Sequence, residues 1–356
     1  MANRRNIRYV FTSSNTCDGF HSFIPDLVKP LQRVYILKGA PGSGKATFIR
    51  MLGEALAERG YEVDFWLSAA DPLNPEGLYL PRLDLAVING SLGLGVDPHY
   101  PGATGEVIGL EQYQDRESLR HYGSEIISLI DRLEAERAKV EVILKQAAEA
   151  RGDIHRIFSP GLQPEKIRHL ADKLEADLFQ EGPAERHFYA SSFSAEGTIN
   201  YVDDISRSCQ RRYILKGRPG SGQSIIMTEI AERGRRRGWY LEYYHSGLER
   251  ESILMLLIPS QGIALIDAAD TEISLRPWDV VIDMNEDLEE SDWQEKDLAA
   301  AELKRLYEIL LIQAREGLES AQRTLLELKK IYRGATDFSR LEDRREELLQ
   351  EIINNH

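Results

Sequence analysis

This sequence predicts an α/β fold built twice, on three observations. Apolar runs of strand length alternate with segments of helical periodicity. Two of those runs feed the same kind of glycine-rich turn, and the whole arrangement recurs at one fixed spacing along the chain. Strands alternating with helices call for a mostly parallel sheet covered by helices on both faces.

The first turn lies in Arg33-Val34-Tyr35-Ile36-Leu37-Lys38-Gly39-Ala40-Pro41-Gly42-Ser43-Gly44-Lys45-Ala46-Thr47, and a helical pattern follows at once in Phe48, Ile49, Met51, Leu52 and Leu56. Strand, glycine turn and helix in that order are the context in which G-x-x-x-x-G-K signals a phosphate-binding loop. The second turn reads Arg211-Arg212-Tyr213-Ile214-Leu215-Lys216-Gly217-Arg218-Pro219-Gly220-Ser221-Gly222-Gln223-Ser224.

Gly39 and Gly217 are separated by 217 − 39 = 178 residues. The same spacing takes Ser13-Ser14 to Ser191-Ser192, Arg59-Gly60 to Arg237-Gly238, and Leu85-Ala86-Val87-Ile88 to Ile263-Ala264-Leu265-Ile266. A duplication with no internal insertion between about residue 11 and residue 89 explains this. The boundary is expected at Glu181-Gly182-Pro183-Ala184-Glu185, giving two P-loop NTPase-like domains over residues 1–180 and 181–356.

Within each half the reading runs in parallel. A first strand (Tyr9-Val10-Phe11, His187-Phe188-Tyr189) precedes a polar turn and a helix over 24–32 or 199–209. The loop strand, loop and helix come next, closed by a C-capping glycine at Gly60 or Gly238. Strands follow over 61–67 and 83–88, then 239–244 and 262–266. Each half ends in a helical appendage: Ile126, Ile130, Leu133, Val140, Leu144 and Ala147 recur at helical spacing, as do Leu303, Leu306, Leu310, Ala321, Leu325, Leu328 and Tyr332. Shorter helices over 166–179 and 341–353 make each appendage a hairpin, with the apolar seam expected to pack inside it.

Composition narrows the partners. The formal net charge is −14, which disfavours nucleic acid and anionic membranes. Arg233, Arg235, Arg236 and Arg237 close the helix after the second loop, where cations complement the helix dipole. Cys17 and Cys209 hold different positions in the two repeats, so no disulfide framework is expected. The basic N-terminal residues lead into no apolar segment of signal-peptide length, and no stretch could span a bilayer; the expected compartment is the cytoplasm.

A phosphate loop works because glycines let successive backbone N–H groups converge on an anion at the positive end of a helix. The expected phosphate contacts are Gly39, Gly42, Ser43, Gly44, Lys45, Ala46 and Thr47 in the first half, and Gly217, Arg218, Gly220, Ser221, Gly222, Gln223 and Ser224 in the second. Lysine adds a charge for the outer phosphates, and the next hydroxyl holds Mg²⁺ with a strand-end carboxylate. Lys45 is followed by Ala46, and its strand ends in Asn89, so the first site lacks both metal partners. Thr47 stands one position further on, rotated by roughly 100° about the helix. The second site has the reverse fault: Gln223 replaces lysine, while Ser224 and Asp267 remain as metal ligands. Arg218 is expected to face solvent, the alternative being a replacement cation. Gly90 and Ala268 follow the strand-end residues, so no water-orienting glutamate is present there.

The loops, the YILKG strands and their duplicated order resemble a bacterial, Firmicutes-type family of tandem P-loop ATPases over nearly the whole length. The family pattern is G-x-P-G-[ST]-G-K-S-T in both loops and an apolar strand ending in D-[GS]-T-x-P-H. Here the strand ends read Asn89-Gly90-Ser91-Leu92-Gly93-Leu94 and Asp267-Ala268-Ala269-Asp270-Thr271-Glu272, and Asp97-Pro98-His99-Tyr100-Pro101-Gly102 is similar to the family's D-P-x-Y-P-G. The resemblance implies ATP binding and ATPase activity; the departures imply that turnover is impaired.

The expectation is therefore an ATP-binding or other nucleotide-binding protein with weak or absent hydrolysis and with no catalytic residue identified. Two other readings stand beside it. One is a pseudo-ATPase scaffold binding a protein partner through its helices. The other is a phosphotransferase, with Arg116, Arg120 and Arg132 as lid arginines. Glu272, His99, His121 and His245 carry no assigned role.

Overall fold

A computed structural model describes residues 6–69, 71–91, 95–178, 184–285 and 293–354. The expected linker Glu181-Gly182-Pro183, the segment Leu92-Gly93-Leu94 and most of the basic N-terminal stretch lie outside the described residues.

In the first half β1 (Ile7–Phe11) leads into a hairpin, β2 (Ser13–Thr16) and β3 (Gly19–Ser22), and the short α1 (Ile24–Val28). The loop strand β4 (Arg33–Lys38) and helix α2 (Lys45–Glu58) precede β5 (Val63–Ser68), β6 (Asp71–Leu80), β7 (Leu85–Asn89) and β8 (Gly105–Gly109). Three helices end the half: α3 (Arg116–His121), α4 (Gly123–Phe158) and α5 (Pro164–Leu178). The second half repeats the plan. It has β9 (Ala184–Tyr189), β10 (Ser191–Ser194), β11 (Gly197–Asn200), α6 (Val202–Ile205), β12 (Arg211–Lys216) and α7 (Gln223–Arg236). It continues with β13 (Tyr240–His245), β14 (Ile253–Ile258), β15 (Ile263–Asp267), β16 (Val280–Asp283), α8 (Trp293–Gly334) and α9 (Phe338–Asn354).

The fold is α/β. Both halves contribute to one 12-stranded sheet in the order β16-β12-β15-β14-β13-β9-β1-β5-β6-β7-β4-β8. Read outward from the centre, the two directions give the same order of repeated strands. Within each half the strands run parallel except β6 and β14, which are antiparallel to both neighbours. The loop strands pair directly with the strands that end in the polar residue: Leu37 lies opposite Asn89, and Leu215 opposite Asp267. No strand intervenes, a point on which the sequence is silent.

The helices after the loops show why the sequence folds so. Phe48, Ile49, Leu52, Gly53 and Leu56 are among the buried positions of α2, and Ile226, Met227, Ile230, Ala231 and Gly234 are the same positions of α7. This stripe at three- and four-residue spacing faces the sheet. The other face of the sheet carries a single cluster that crosses the centre, including Phe11, Trp66, Phe188, Tyr189 and Tyr244.

The appendages depart from the hairpin expectation. The seam of α4 packs on α8 of the other half, antiparallel, through Val140 and Leu144 against Ala314 and Leu318, and Ala147 and Ala150 against Leu310. Gly317 permits the close approach, because a Cβ there would lie 2.6 Å from Val140 Cγ2. Arg132 donates to Thr324 and Glu327, and Ser320 and Thr324 donate to Glu136, along the same contact. Periodicity identifies an apolar face but not what covers it.

The short helices are exchanged as well. Leu341, Leu348, Leu349 and Ile352 of α9 pack into the first half's core beside α2. Ile167, Ala171 and Leu174 of α5 pack into the second half's core beside α7. Each such leucine or isoleucine contributes about 2 kcal/mol when fully buried, and Ala171 less, so each exchanged helix contributes at most several kcal/mol to the core it covers.

Candidate functional site

Each glycine-rich loop joins a buried strand, one in from the sheet edge, to a helix through backbone that only glycine adopts easily. Gly42 and Gly44 have φ of 87° and 93°, and Gly220 and Gly222 have 83° and 106°. Gly44 and Gly222 are also the residues from which α2 and α7 start. The free N–H groups of the first helical turn and the positive helix end thus face the loop.

In the first loop Lys45 is buried, and its ammonium folds back onto the loop. Nζ donates to Gly39 O at 2.6 Å and Ala40 O at 2.8 Å, and lies 3.4 Å from Ser43 Oγ. Among the described residues no carboxylate pairs with it. Burial, and after it the charge of Lys329 on α8, pull the lysine down to about 8. The loop is also tied to the β7 end, where Ser91 Oγ accepts from Gly39 N at 3.1 Å. Asn89 Oδ1 accepts from Ser91 N, so that amide oxygen is already engaged. Ala46 brings no side-chain donor. Thr47 is exposed and faces a small cavity between α2 and α9 lined by Gly44, Met51, Phe338 and Leu341. With neutral groups at positions 46 and 89, the first site does not fit a magnesium ion.

The second loop keeps the geometry with different chemistry. Gln223 is buried in the place of Lys45, and its Nε2 donates to Arg218 O at 3.2 Å, the carbonyl equivalent to Ala40 O. The amide therefore substitutes for the ammonium as a loop cap but carries no charge. Ser221 Oγ is buried and has no hydrogen-bond partner among the described residues. Ser224 is exposed at the first turn of α7. Asp267 is buried at the end of β15, accepts from Ala269 N at 3.0 Å, and is pushed up to about 6 by burial. A hydroxyl and one carboxylate, with water and phosphate oxygens beside them, suit the ligand set of Mg²⁺.

Arg218 is partly exposed but not free in solvent. Its guanidinium pairs with Asp297 of α8 at 3.1 Å, and its Cζ lies 5.8 Å from the Phe158 ring centre. The long helices of both halves thus hold it at the loop. Beside it an open cleft of about 1030 Å³ is lined by Gly217, Arg218, Thr271, Glu272, Ser274 and Asn285. Lid arginines are not gathered here: Arg132 is held by α8, and Arg116 and Arg120 are exposed on α3. His99 and His121 are exposed, and His245 is buried beside His187, Phe23 and Tyr189. The arginines that close α7 meet acids or a ring: Arg233 pairs with Asp172 and Glu229, Arg235 with Glu185, Arg236 with Glu232, and Arg237 lies over Trp239.

Glu76 is the residue the sequence reading missed. It is buried on β6, next along from Gly77, which pairs with Ile88 of β7. Thr12 and Ser13 donate to its Oε1 at 2.7 and 2.8 Å, while Oε2 has no hydrogen-bond partner among the described residues. Burial pushes the carboxyl up to about 7. Glu76 and Asn89 line the same small cavity, so a carboxyl stands near the strand end that lacks one. The signal was present in the repeat, because the equivalent residue 178 positions on is Leu254.

No family model matches the sequence, and no curated protein or solved structure matches it significantly.

Proposed function

We propose that the chain is a nucleotide-binding protein of the tandem P-loop ATPase type, with two P-loop NTPase-like domains. In this reading the first loop holds the phosphates of ATP or another nucleoside triphosphate, and hydrolysis is weak or absent. The observation that carries the reading is Lys45: a buried ammonium with no carboxylate partner among the described residues, on loop carbonyls at the start of a helix, with a second lysine nearby. A buried cation is costly unless an anion or full hydrogen bonding compensates it, and an incoming phosphate supplies the anion. The family resemblance in the loops points the same way. Turnover is limited because the first site lacks ionic metal ligands, whereas the second keeps Ser224 and Asp267 for Mg²⁺ but lacks the lysine.

Calorimetry with ATP, with and without Mg²⁺, tests this on the full chain. Binding that needs Lys45 but not Mg²⁺ supports it; no binding at millimolar ATP refutes it. Hydrolysis is read beside two repaired chains, Ala46→Ser with Asn89→Asp, and Gln223→Lys. Turnover that appears only after repair fits the reading, and strong turnover in the natural chain opposes it.

One observation favours a second reading, a scaffold that binds a protein partner. Leu298, Leu306, Ile309 and Ile312 are exposed on α8, within one face of the helix. If Ile309→Ser and Ile312→Ser together abolish a function that Lys45→Ala leaves intact, the scaffold reading prevails.

A further inference from the structure

The arms that cover the two loops bring more than apolar surface. At the tip of the first loop, a Cβ on Gly42 would lie 2.5 Å from the backbone oxygen of Lys329, so α8 rests directly against the loop. The Lys329 ammonium is 3.0 Å from Asp71 Oδ2 at the start of β6, and both side chains are about one-third exposed. It is also close enough for its charge to depress Lys45. Two ammonium groups therefore stand at one glycine-rich loop, Lys45 on loop carbonyls and Lys329 of the arm on Asp71.

The second half repeats the contact. A Cβ on Gly220 would lie 2.5 Å from the backbone oxygen of His155 on α4. Arg151, 178 residues before Lys329, pairs with Glu249 at 2.7 Å, and Glu249 is 178 residues after Asp71. The cross-half ion pair is thus a repeated device. Its surroundings differ. Arg151 also meets Asp270 at 3.2 Å and acts electrostatically on Asp267, while the loop lysine is replaced by Gln223. There both cations are paired, Arg151 with Glu249 and Asp270 and Arg218 with Asp297, whereas at the first loop Lys329 meets Asp71 and Lys45 meets loop carbonyls.

We propose that the anion site of the first loop is completed by Lys329 from the other half, which leaves Asp71 to bind the outer phosphates of a polyphosphate ligand. This rests on the nucleotide-binding reading and adds to it that the ligand bridges the first half's loop and the second half's long helix. Occupancy is then transmitted to α8 through an exchange of ion-pair partners. Arg151, held by two carboxylates, makes no equivalent contact at the second loop.

The test is equilibrium binding of ATP, ADP and inorganic triphosphate to the full chain and to Lys329→Ala, Lys329→Arg, Asp71→Asn, Arg151→Ala and Lys45→Ala. Melting without ligand checks that each variant is folded. Lys329→Ala is expected to weaken ATP and triphosphate by about tenfold or more and ADP by less, with Lys329→Arg largely restoring them. Asp71→Asn is expected to tighten binding severalfold, because it frees the lysine. Arg151→Ala is expected to leave affinity within about twofold. If Lys45→Ala abolishes binding while Lys329→Ala and Asp71→Asn bind ATP as the natural chain does, the proposal fails and the nucleotide reading stands. If the natural chain binds neither ATP nor triphosphate, both fall.

Discussion

Phe11 lies opposite Tyr189 where β1 meets β9, and the two are the same position of the repeat. An antiparallel pair between equivalent residues is what a local two-fold axis produces, here inside one chain. Asn15 confirms the axis from the neighbouring hairpin, donating to Phe193 O across a separation of 178 residues. Arg8 spans the same seam and binds both Asp64, at 2.6 Å, and its repeat counterpart Glu242, at 3.0 Å.

Removing Arg8 takes away the cation that bonds both carboxylates and, among the described residues, leaves Glu242 only the through-space charge of Arg186. Arg8→Ala is expected to destabilise the chain by about 3 kcal/mol, at the low end for a broken buried pair because the arginine keeps partial access to solvent. Urea unfolding measures the loss. A smaller loss for Arg8→Lys than for Arg8→Ala would show that charge, rather than shape alone, matters at the seam.

Splitting the chain tests the exchanged arms. Residues 6–178 alone lack α9, which leaves the surface of α2 that meets Leu341, Leu348 and Ile352 uncovered. That fragment and its complement are each expected to aggregate or bind a hydrophobic dye when expressed singly, and to form a soluble one-to-one complex when expressed together. Light scattering after size-exclusion chromatography distinguishes the outcomes. Two well-behaved monomers would mean that the exchange contributes little.

Lys45 gives the candidate site a pH signature. Its folded-state value, about 8, lies below the ordinary lysine value. The unliganded fold therefore bears the cost of the buried charge below pH 8 and is relieved of it as pH rises from about 8 towards 10.5. Phosphate binding needs the charged form, so ATP affinity is expected to fall above about pH 8. Calorimetry near that pH in buffers of different ionisation enthalpy should detect up to one proton taken up per ATP bound, and Lys45→Met should abolish that uptake.

Glu76 predicts a dependence of the opposite sense at lower pH. Its value is raised to about 7, so the folded state keeps a proton that the unfolded chain releases near 4.5. Stability is greatest below about pH 4.5 as far as this group is concerned, and falls as pH rises to 7, by on the order of 3 kcal/mol. Glu76→Gln should match the natural chain at pH 5 more closely than at pH 8, where it should be the more stable. Denaturant midpoints at the two pH values decide it.

How much of this was legible in the sequence follows from the kind of signal each part carries. Strand, loop and helix were readable because glycines at Gly42 and Gly44 and the stripe Phe48, Ile49, Leu52 are local patterns. Strand β6 was not, since Pro72, Asn74, Pro75 and Gly77 read as a turn-rich stretch, although the backbone from Glu76 onward is buried between β5 and β7. The arms were found as helices, but Val140 and Leu144 do not say whether their partner lies in the same half. The pairing of the partly exposed Arg218 was not legible because its partner, Asp297, lies on a helix that the sequence could not bring to the loop. Glu76 could have been found by comparing repeats position by position.

Joining the two repeats by a covalent link has a genetic consequence. In a symmetric pair of separate, identical chains, any replacement of the loop lysine must appear in both sites at once. Within one chain each copy mutates independently while its partner stays attached in a fixed ratio. The two copies differ at Lys45 and Gln223, at Ala46 and Ser224, at Asn89 and Asp267, and at Glu76 and Leu254. The shared sheet and crossed arms keep the two copies structurally dependent on each other, so one can specialise for a ligand while the other is retained for the framework it provides.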